Sequence, residues 1–565
     1  MGRADVAGLA SELWNTFLAA SPFSATLLGD HRFDAEVPDP SAGAEAELLI
    51  DLEDVLARAE KVEDESDEQL DLEDRATLEV LISEARGRIA ELRAAMSQFT
   101  AGPRRGPQTA LVQLASNTVL TETWHADAVV ARYQRVDRYL DAAADRLREG
   151  VTLGRTPVAS LVEHAVEQID AMLAVPPTES PLTAISAPPG LDDQRFARWQ
   201  TRLVDTVLGT VYPALGRYRD CLVDEVLPSA RPDERAGLCW IDGGEELYAA
   251  LVRRYTTLDR DPAALNELGW EETRRLADEY REVGERALGN ADPDAIFDRL
   301  RTDDQLRFET GEELLEQAKA ALARAEAATP SWFGRLPQAS CHVRAMNDEE
   351  SEHGTIAYYV PPAADGSRPG TYAVNTAHPE TRRRFEAEVL AFHEAVPGHH
   401  LQIALAQERD DLPPIRRHSL VTAYVEGWAL YVERLADEMG LYGTDLDRLG
   451  VLSFDAWRSG RLVVDTAIHA HGWSREQAVE HLVEHSPQAE NNLRNEVDRY
   501  IESPGQALAY KVGQLEIRRL RGQMEERLGT DFDIRAFHDA VLAPGPVTLG
   551  MLGRIVASRL LGSDV

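Results

Sequence analysis

Apolar and polar positions alternate along most of this chain with the spacing of amphipathic helices. Ile82, Ala85, Ile89 and Leu92 fall three and four residues apart, within a stretch from 41 to 99 that keeps this pattern. Ala, Leu, Glu and Arg, which are strong helix formers, dominate. Pro and Gly clusters at Ala101–Pro107, Pro176–Pro189, Pro228–Pro232 and Pro361–Gly370 punctuate the helices. The pattern predicts a mainly α fold over residues 1–565, read as one helical unit. Residues 1–340 form its mostly helical N-terminal part, and residues 341–565 carry the chemistry.

One region departs from helical spacing. Thr355–Val360 (T-I-A-Y-Y-V) and Thr371–Val374 (T-Y-A-V) are rich in β-branched and aromatic residues and flank a Pro/Gly/Asp loop. They predict a β-hairpin or small sheet at 355–375, either structural or offering an edge to an extended peptide. A helix is then expected from near Pro379, with Asn375 or Thr376 in its cap region and Phe385, Val389, Phe392 and Val396 at helical spacing. A second helix is expected from Ser419, a good N-cap, to Gly440, a good terminator.

The first of these helices leads into H-E-A-V-P-G-H-H at 393–400. In H-E-x-x-H the two histidines lie four apart on one helix face and can share a zinc ion, with the Glu beside them as a base. Here the fourth residue after His393 is Pro397, which cannot ligate. In a regular helix His399 would turn away, and His400 would lie about 10 Å along the axis. Pro397 lacks the N–H that would bond to the His393 carbonyl, and Gly398 is conformationally free. A two-residue bulge there would bring His399 to the place of the second ligand, and His399 is preferred to His400.

The second helix reads L-V-T-A-Y-V-E-G-W-A-L-Y-V from Leu420 to Val432, with Glu426 as its one charged residue. A helix apolar all round is buried, and a lone buried carboxylate is costly unless paired or bound to a metal. Glu426 is therefore the expected third ligand, with pairing to a buried Arg or Lys as the alternative. Gly427 beside it would let the motif helix approach closely.

H-E-A-V-P-G-H-H-L-Q, A-Y-V-E-G-W-A-L-Y, R-Y-I-E-S-P-G-Q-A-L-A-Y-K-V-G at 499–513 and F-H-D-A-V-L at 537–542 together resemble a large bacterial family of unknown function. That family is similar to the carboxypeptidase Taq-type gluzincins, helical metallopeptidases with two His and one Glu on zinc. The resemblance implies a large helical gluzincin-like fold with a small sheet beside the active-site cleft. It also implies an oxyanion donor from a late Tyr, and Arg499-Tyr500 looks like the Arg-Tyr pair of one branch. Tyr500 is the first choice and Tyr510 the second, unless both merely pack between helices. Arg499 is a candidate anchor for a substrate carboxylate, with Arg494 and Lys511 as competitors.

The expected chemistry is peptide-bond hydrolysis by a zinc-dependent, carboxypeptidase-like enzyme or oligopeptidase. Zn2+ is held by His393, His399 and Glu426, and Glu394 is the general base for an activated water. The alternatives are a zinc amidohydrolase acting on a non-peptide or isopeptide bond, and a catalytically inactive helical binding protein. His342, His353, His469, His471, His481 and His485 are scattered and read as packing or surface residues.

Charge and composition narrow the partners. A net charge of −38 repels phosphate backbones and anionic lipid, which argues against nucleic acid and membrane surfaces. No apolar run has transmembrane length. The three cysteines, Cys221, Cys239 and Cys341, fit neither a disulfide framework nor a Cys-based zinc site. Together with the absence of a signal pattern at the N-terminus, they point to a cytoplasmic protein. A peptide is the expected substrate, and self-association into a homodimer is left open.

Overall fold

The computed structural model describes residues 3–66, 70–347, 351, 356–363, 368–418 and 421–562. Helices run from Arg3–Ala20 to Leu549–Leu561 and make the fold mainly α. Leu72–Arg93 buries Ile82, Ala85, Ile89 and Leu92 as its periodicity predicts, and the Asp71 side chain caps it by accepting from the Asp74 N–H. One apolar cluster runs from Val6 to Val556, so helices from both ends of the chain share a core. A second cluster, from Phe23 to Val226, is built by N-terminal helices alone. Among the described residues no helix is long and apolar enough to cross a membrane. The three cysteines are free.

The small sheet has three strands: β1 (Cys341–Ala345), β2 (Ala357–Val360) and β3 (Gly370–Val374). β3 lies between the others, antiparallel to β2 and parallel to β1, with Cys341 opposite Gly370 and Ala357 opposite Val374. The expected hairpin is the β2–β3 pair, and β1 is an addition that the sequence pattern did not reveal. Thr355 and part of the connecting loop lie outside the described residues.

Six helices carry the site: α1 (Ala387–Glu394), α2 (His399–Gln407), α3 (Thr422–Glu438), α4 (Asp445–His471), α5 (Glu490–Glu502) and α6 (Leu508–Leu528). α1 begins later than Pro379. The preceding residues make two short 3-10 turns, Pro379–Thr381 and Arg384–Glu386. Long-range pairing competes with helix there: the Arg382 carbonyl accepts from the Phe308 N–H, and Arg383 bridges to Arg307. Gly440, with φ +70°, ends α3 as expected, whereas the proposed cap Ser419 lies outside the described residues.

Gly427 does not serve the motif helix. A Cβ there would meet the backbone of Gly513 at 2.5 Å, and one on Gly513 would meet the Ala423 carbonyl at 1.9 Å. The two glycines let α3 and α6 pack backbone to backbone. This brings the 499–513 segment beside the helix that carries Glu426.

Candidate metal centre

Between α1 and α2 the chain leaves helical geometry from Ala395 to Gly398, a wider break than a two-residue bulge. The His400 N–H resumes hydrogen bonding to the Ala395 carbonyl at 3.1 Å. Gly398 is required here, because a Cβ would meet the His393 carbonyl oxygen at 1.9 Å and that of Phe392 at 2.4 Å. The break is fixed from α3, where the Trp428 indole N–H donates to the Pro397 carbonyl at 3.0 Å. His399 thus starts a new helix with its ring 4.8 Å from that of His393, centroid to centroid, and nearly perpendicular to it at 85°.

Glu426 completes the group. Its Oε2 lies 3.8 Å from His393 Nε2 and 3.7 Å from His399 Nε2. One ligand atom from each of the three residues falls within 4.8 Å of the others. Metal–ligand bonds of about 2.0–2.1 Å in a tetrahedron put ligand atoms about 3.3–3.4 Å apart. The two separations from Glu426 are a few tenths of an ångström longer than this. The orientation of His393 also fits: its Nδ1 is hydrogen-bonded to Glu433 Oε1 at 2.8 Å, which leaves Nε2 on the side of Glu426.

His400 is committed elsewhere. Its Nδ1 is 3.0 Å from the Tyr359 hydroxyl on β2, and its Nε2 is 2.9 Å from the Ala339 carbonyl. Both ring nitrogens are used, one on β2 and one on the segment before β1. By contrast, His399 Nδ1 is buried without a hydrogen-bond partner.

Burial sets the electrostatics of the group. It pushes the Glu394 carboxyl up to about 7, and the charge of Glu426 adds to the rise. Burial likewise raises Glu433 to about 7, lowers the His393 imidazole to about 3, and lowers His399. The result is two neutral imidazoles, a partly exposed carboxylate on α3, and a carboxyl on α1 that exchanges its proton near neutrality.

The two late tyrosines have different surroundings. Tyr500, on α5, is fully buried, and its hydroxyl accepts from Trp457 Nε1 at 3.1 Å and Arg461 Nε at 3.0 Å. Tyr510, on α6, is partly exposed, and the charge of Glu426 acts on its hydroxyl. Tyr510 therefore lies within electrostatic reach of Glu426, and the Tyr500 hydroxyl braces Arg461. The three proposed carboxylate anchors all have partners within the chain. Arg499 pairs with Glu496 at 2.7 Å, Arg494 with Glu476 and Glu490 at 2.8 Å, and Lys511 with Asp455 at 2.5 Å and Glu272 at 2.8 Å.

Two residues of the site escaped sequence reading. Glu433 lies seven residues after Glu426, two turns along the same face of α3. That spacing was a usable signal, hidden because Glu433 stands just beyond the apolar run. Arg458, on α4, lies within electrostatic reach of His393, Glu394 and Glu433. Nothing local in the sequence marks it.

Other clusters carry less. His31, Asp34 and His125 also converge. However, His125 Nδ1 accepts from the backbone N–H groups of Thr121 and Glu122, so its proton sits on Nε2 and that nitrogen has no lone pair for a metal. A cleft of about 510 Å³ is lined by Arg275, Arg434 and Arg521, which pair with Glu272, Glu279 and Glu438. His469 is structural, accepting from the Leu238 N–H and donating to the Tyr500 carbonyl. His353 lies outside the described residues.

Residues 22–556 match a family described as bacterial protein of unknown function, DUF885, and the chain belongs to that family. No curated protein matches it. Two solved structures share the fold. One, described as a "putative lipoprotein" from Colwellia psychrerythraea, is 24% identical with a TM-score of 0.92, and each chain covers all of the other. The second, a "putative lipoprotein of unknown function" from Shewanella oneidensis, is 19% identical with a TM-score of 0.74, over 97% of this chain and 99% of that one.

Proposed function

We propose that this member of a family without an assigned activity is a zinc-dependent hydrolase of peptide bonds. The observation that carries the reading is the convergence of His393, His399 and Glu426 beside Glu394, with His393 oriented by Glu433. Two imidazoles and one carboxylate suit zinc among the divalent metals. The motif pair's similarity to carboxypeptidase Taq-type gluzincins supports the same class of chemistry.

When bound, zinc would polarise a substrate carbonyl and lower the pKa of a water toward neutrality. Glu394, whose carboxyl exchanges its proton near pH 7, takes a proton from the attacking water and delivers it to the departing amine. The Tyr510 hydroxyl is the donor for the oxyanion that develops on the carbonyl. Its ring is held by the Arg461 guanidinium, 4.4 Å from the ring centroid. Glu433 fixes the His393 tautomer and ring orientation. β3 lies close by, since the charge of Glu394 acts on Tyr372, and an extended peptide running along this sheet would pass the cluster. A cytoplasmic location belongs to the same proposal and rests on the three free cysteines.

The deciding experiment is a peptide-library digest read by mass spectrometry, with zinc-loaded and chelator-treated protein side by side. Cleavage that disappears on chelation and returns with zinc is expected. An intact library after incubation with metal-replete protein would overturn the proposal.

A further inference from the structure

A cavity of about 400 Å³ lies in the N-terminal half of the chain, and none of His393, Glu394, His399 and Glu426 lines it. Four helices contribute to its walls: Ala42–Ser66, Leu72–Arg93, Val136–Leu153 and Tyr212–Cys221. A space of this size holds a small organic molecule. Leu92 and Met96 in its walls belong to the apolar cluster shared by both ends of the chain, whereas Val37 and Leu147 belong to the N-terminal cluster. The cavity therefore sits where the two cores meet, and its walls are largely apolar.

One polar group in this lining is out of place. Tyr218 is 2% exposed, and its hydroxyl has no hydrogen-bond partner among the described residues. Buried tyrosine hydroxyls normally find one. In this chain Tyr133 donates to the Leu182 carbonyl and Tyr424 to the Val541 carbonyl, each at 2.9 Å. The Tyr280 hydroxyl also lacks a partner but is sealed in the core. That of Tyr218 is not sealed, and its residue forms part of the cavity wall. Burial raises the Tyr218 hydroxyl well above the ordinary phenol range, with Tyr139 adding to the rise, so it stays protonated and can donate. Two further hydroxyls of the lining are uncommitted. Tyr139 has no hydrogen-bond partner among the described residues, and Ser97 accepts from Arg146 Nε at 3.1 Å without donating its own O–H.

The charged side chains of the lining do not call for an ion. Arg88 pairs with Glu91 at 2.9 Å and Glu45 with Arg146 at 2.6 Å, and the other two, Arg105 and Asp39, are exposed and opposite in sign. A charge carried into the cavity would be desolvated without compensation. An apolar molecule with one oxygen acceptor meets both the walls and the free hydroxyl.

We propose that this cavity is a binding site for an uncharged, mainly apolar small molecule, held through an oxygen acceptor that receives a hydrogen bond from Tyr218. Tyr139 and Ser97 offer further hydrogen bonds, and the apolar residues of the two core clusters bury the body of the ligand. The site is separate from the metal group and stands whether or not the chain hydrolyses peptides.

The test is a set of ligand-observed NMR titrations of the full-length protein with four probes built on one skeleton. These are 4-phenylbutan-2-one, butylbenzene, 4-phenylbutanoate and 4-phenylbutylamine: a neutral ketone, a hydrocarbon, an anion and a cation. The ketone is expected to bind about five-fold or more tightly than each of the others. Chelator should leave its affinity unchanged, which separates the cavity from the metal group. Tyr218→Phe should reduce the ketone to the level of butylbenzene without lowering the melting temperature, because the hydroxyl has no partner in the chain to lose. Ala143→Trp, which places a large ring in the lining, should abolish binding of the ketone and the hydrocarbon alike. The proposal is overturned if no probe binds, if the ketone has no advantage over the hydrocarbon or either ion, if chelator removes its binding, or if its advantage survives Tyr218→Phe or Ala143→Trp. The comparison of probes and the chelator arm use the unmodified chain, so a variant that fails to fold does not blunt the test.

Discussion

Glu433 Oε1 lies 2.8 Å from His393 Nδ1, joining α3 to α1 behind the group of His393, His399 and Glu426. Both side chains are buried, and α3 thereby offers one carboxylate to the ligand group and another to the histidine that completes it. Replacing such a partner costs metal affinity without removing a ligand. Glu433→Gln is therefore expected to weaken zinc binding about 10–100-fold, measured by competition with a chromophoric chelator. Unchanged affinity would detach Glu433 from the metal site.

The adjacent histidines separate cleanly. His399→Ala should abolish stoichiometric zinc, determined by elemental analysis after gel filtration. His400→Ala should keep the metal but lose the contacts to Tyr359 and Ala339, with a cost of about 1–3 kcal/mol seen as a lower melting temperature. The reverse pattern would exchange the ligand assignment.

The late tyrosines are predicted to differ in kind. Tyr510→Phe should lower kcat about 10²–10³-fold with little change in stability, as expected for loss of one oxyanion donor. Tyr500→Phe removes the acceptor for Trp457 and Arg461, so its main effect should be on unfolding. Steady-state kinetics and thermal melts on both variants check this.

Glu394 gives a pH dependence with a definite sign. Its carboxyl, ordinarily near 4.5, is pushed up to about 7 by burial in the metal-free chain. The unfolded chain then loses this proton at lower pH than the folded one. The group costs stability increasingly from about pH 4.5 to 7, and the cost levels off above that. Metal-free Glu394→Gln should be more stable than the wild type at pH 8, by at most about 3 kcal/mol, and no more stable at pH 4. Thermal melts of both proteins at the two pH values test this, and a constant difference would contradict it.

The contact of α3 with α6 makes a further prediction. Gly427→Ala would drive a Cβ into the Gly513 backbone, which neither helix can avoid without moving apart. A cost of about 1–3 kcal/mol is expected for such overpacking. Because Glu426 is the preceding residue, zinc affinity should fall together with the melting temperature, and both are measurable on one preparation.

The amino-acid sequence by itself determined the helical character, the β2–β3 pair, the irregular geometry of 393–400 and the isolation of Glu426 in an apolar helix. These are consequences of local periodicity, of the missing proline N–H and of the cost of burying charge, all of which act over a few residues. Only the tertiary structure set His399 beside His393 and Glu426 and tied His400 elsewhere, because that depends on what meets the His400 nitrogens from residues 339 and 359. It also showed that the Tyr500 hydroxyl is taken up by Trp457 and Arg461, and that Arg499, Arg494 and Lys511 are already paired. Pairing of charges is a long-range property in a chain where every arginine has many carboxylates to choose from. Which carboxylate each arginine meets is fixed by how the helices pack, and its neighbours in the sequence do not record it.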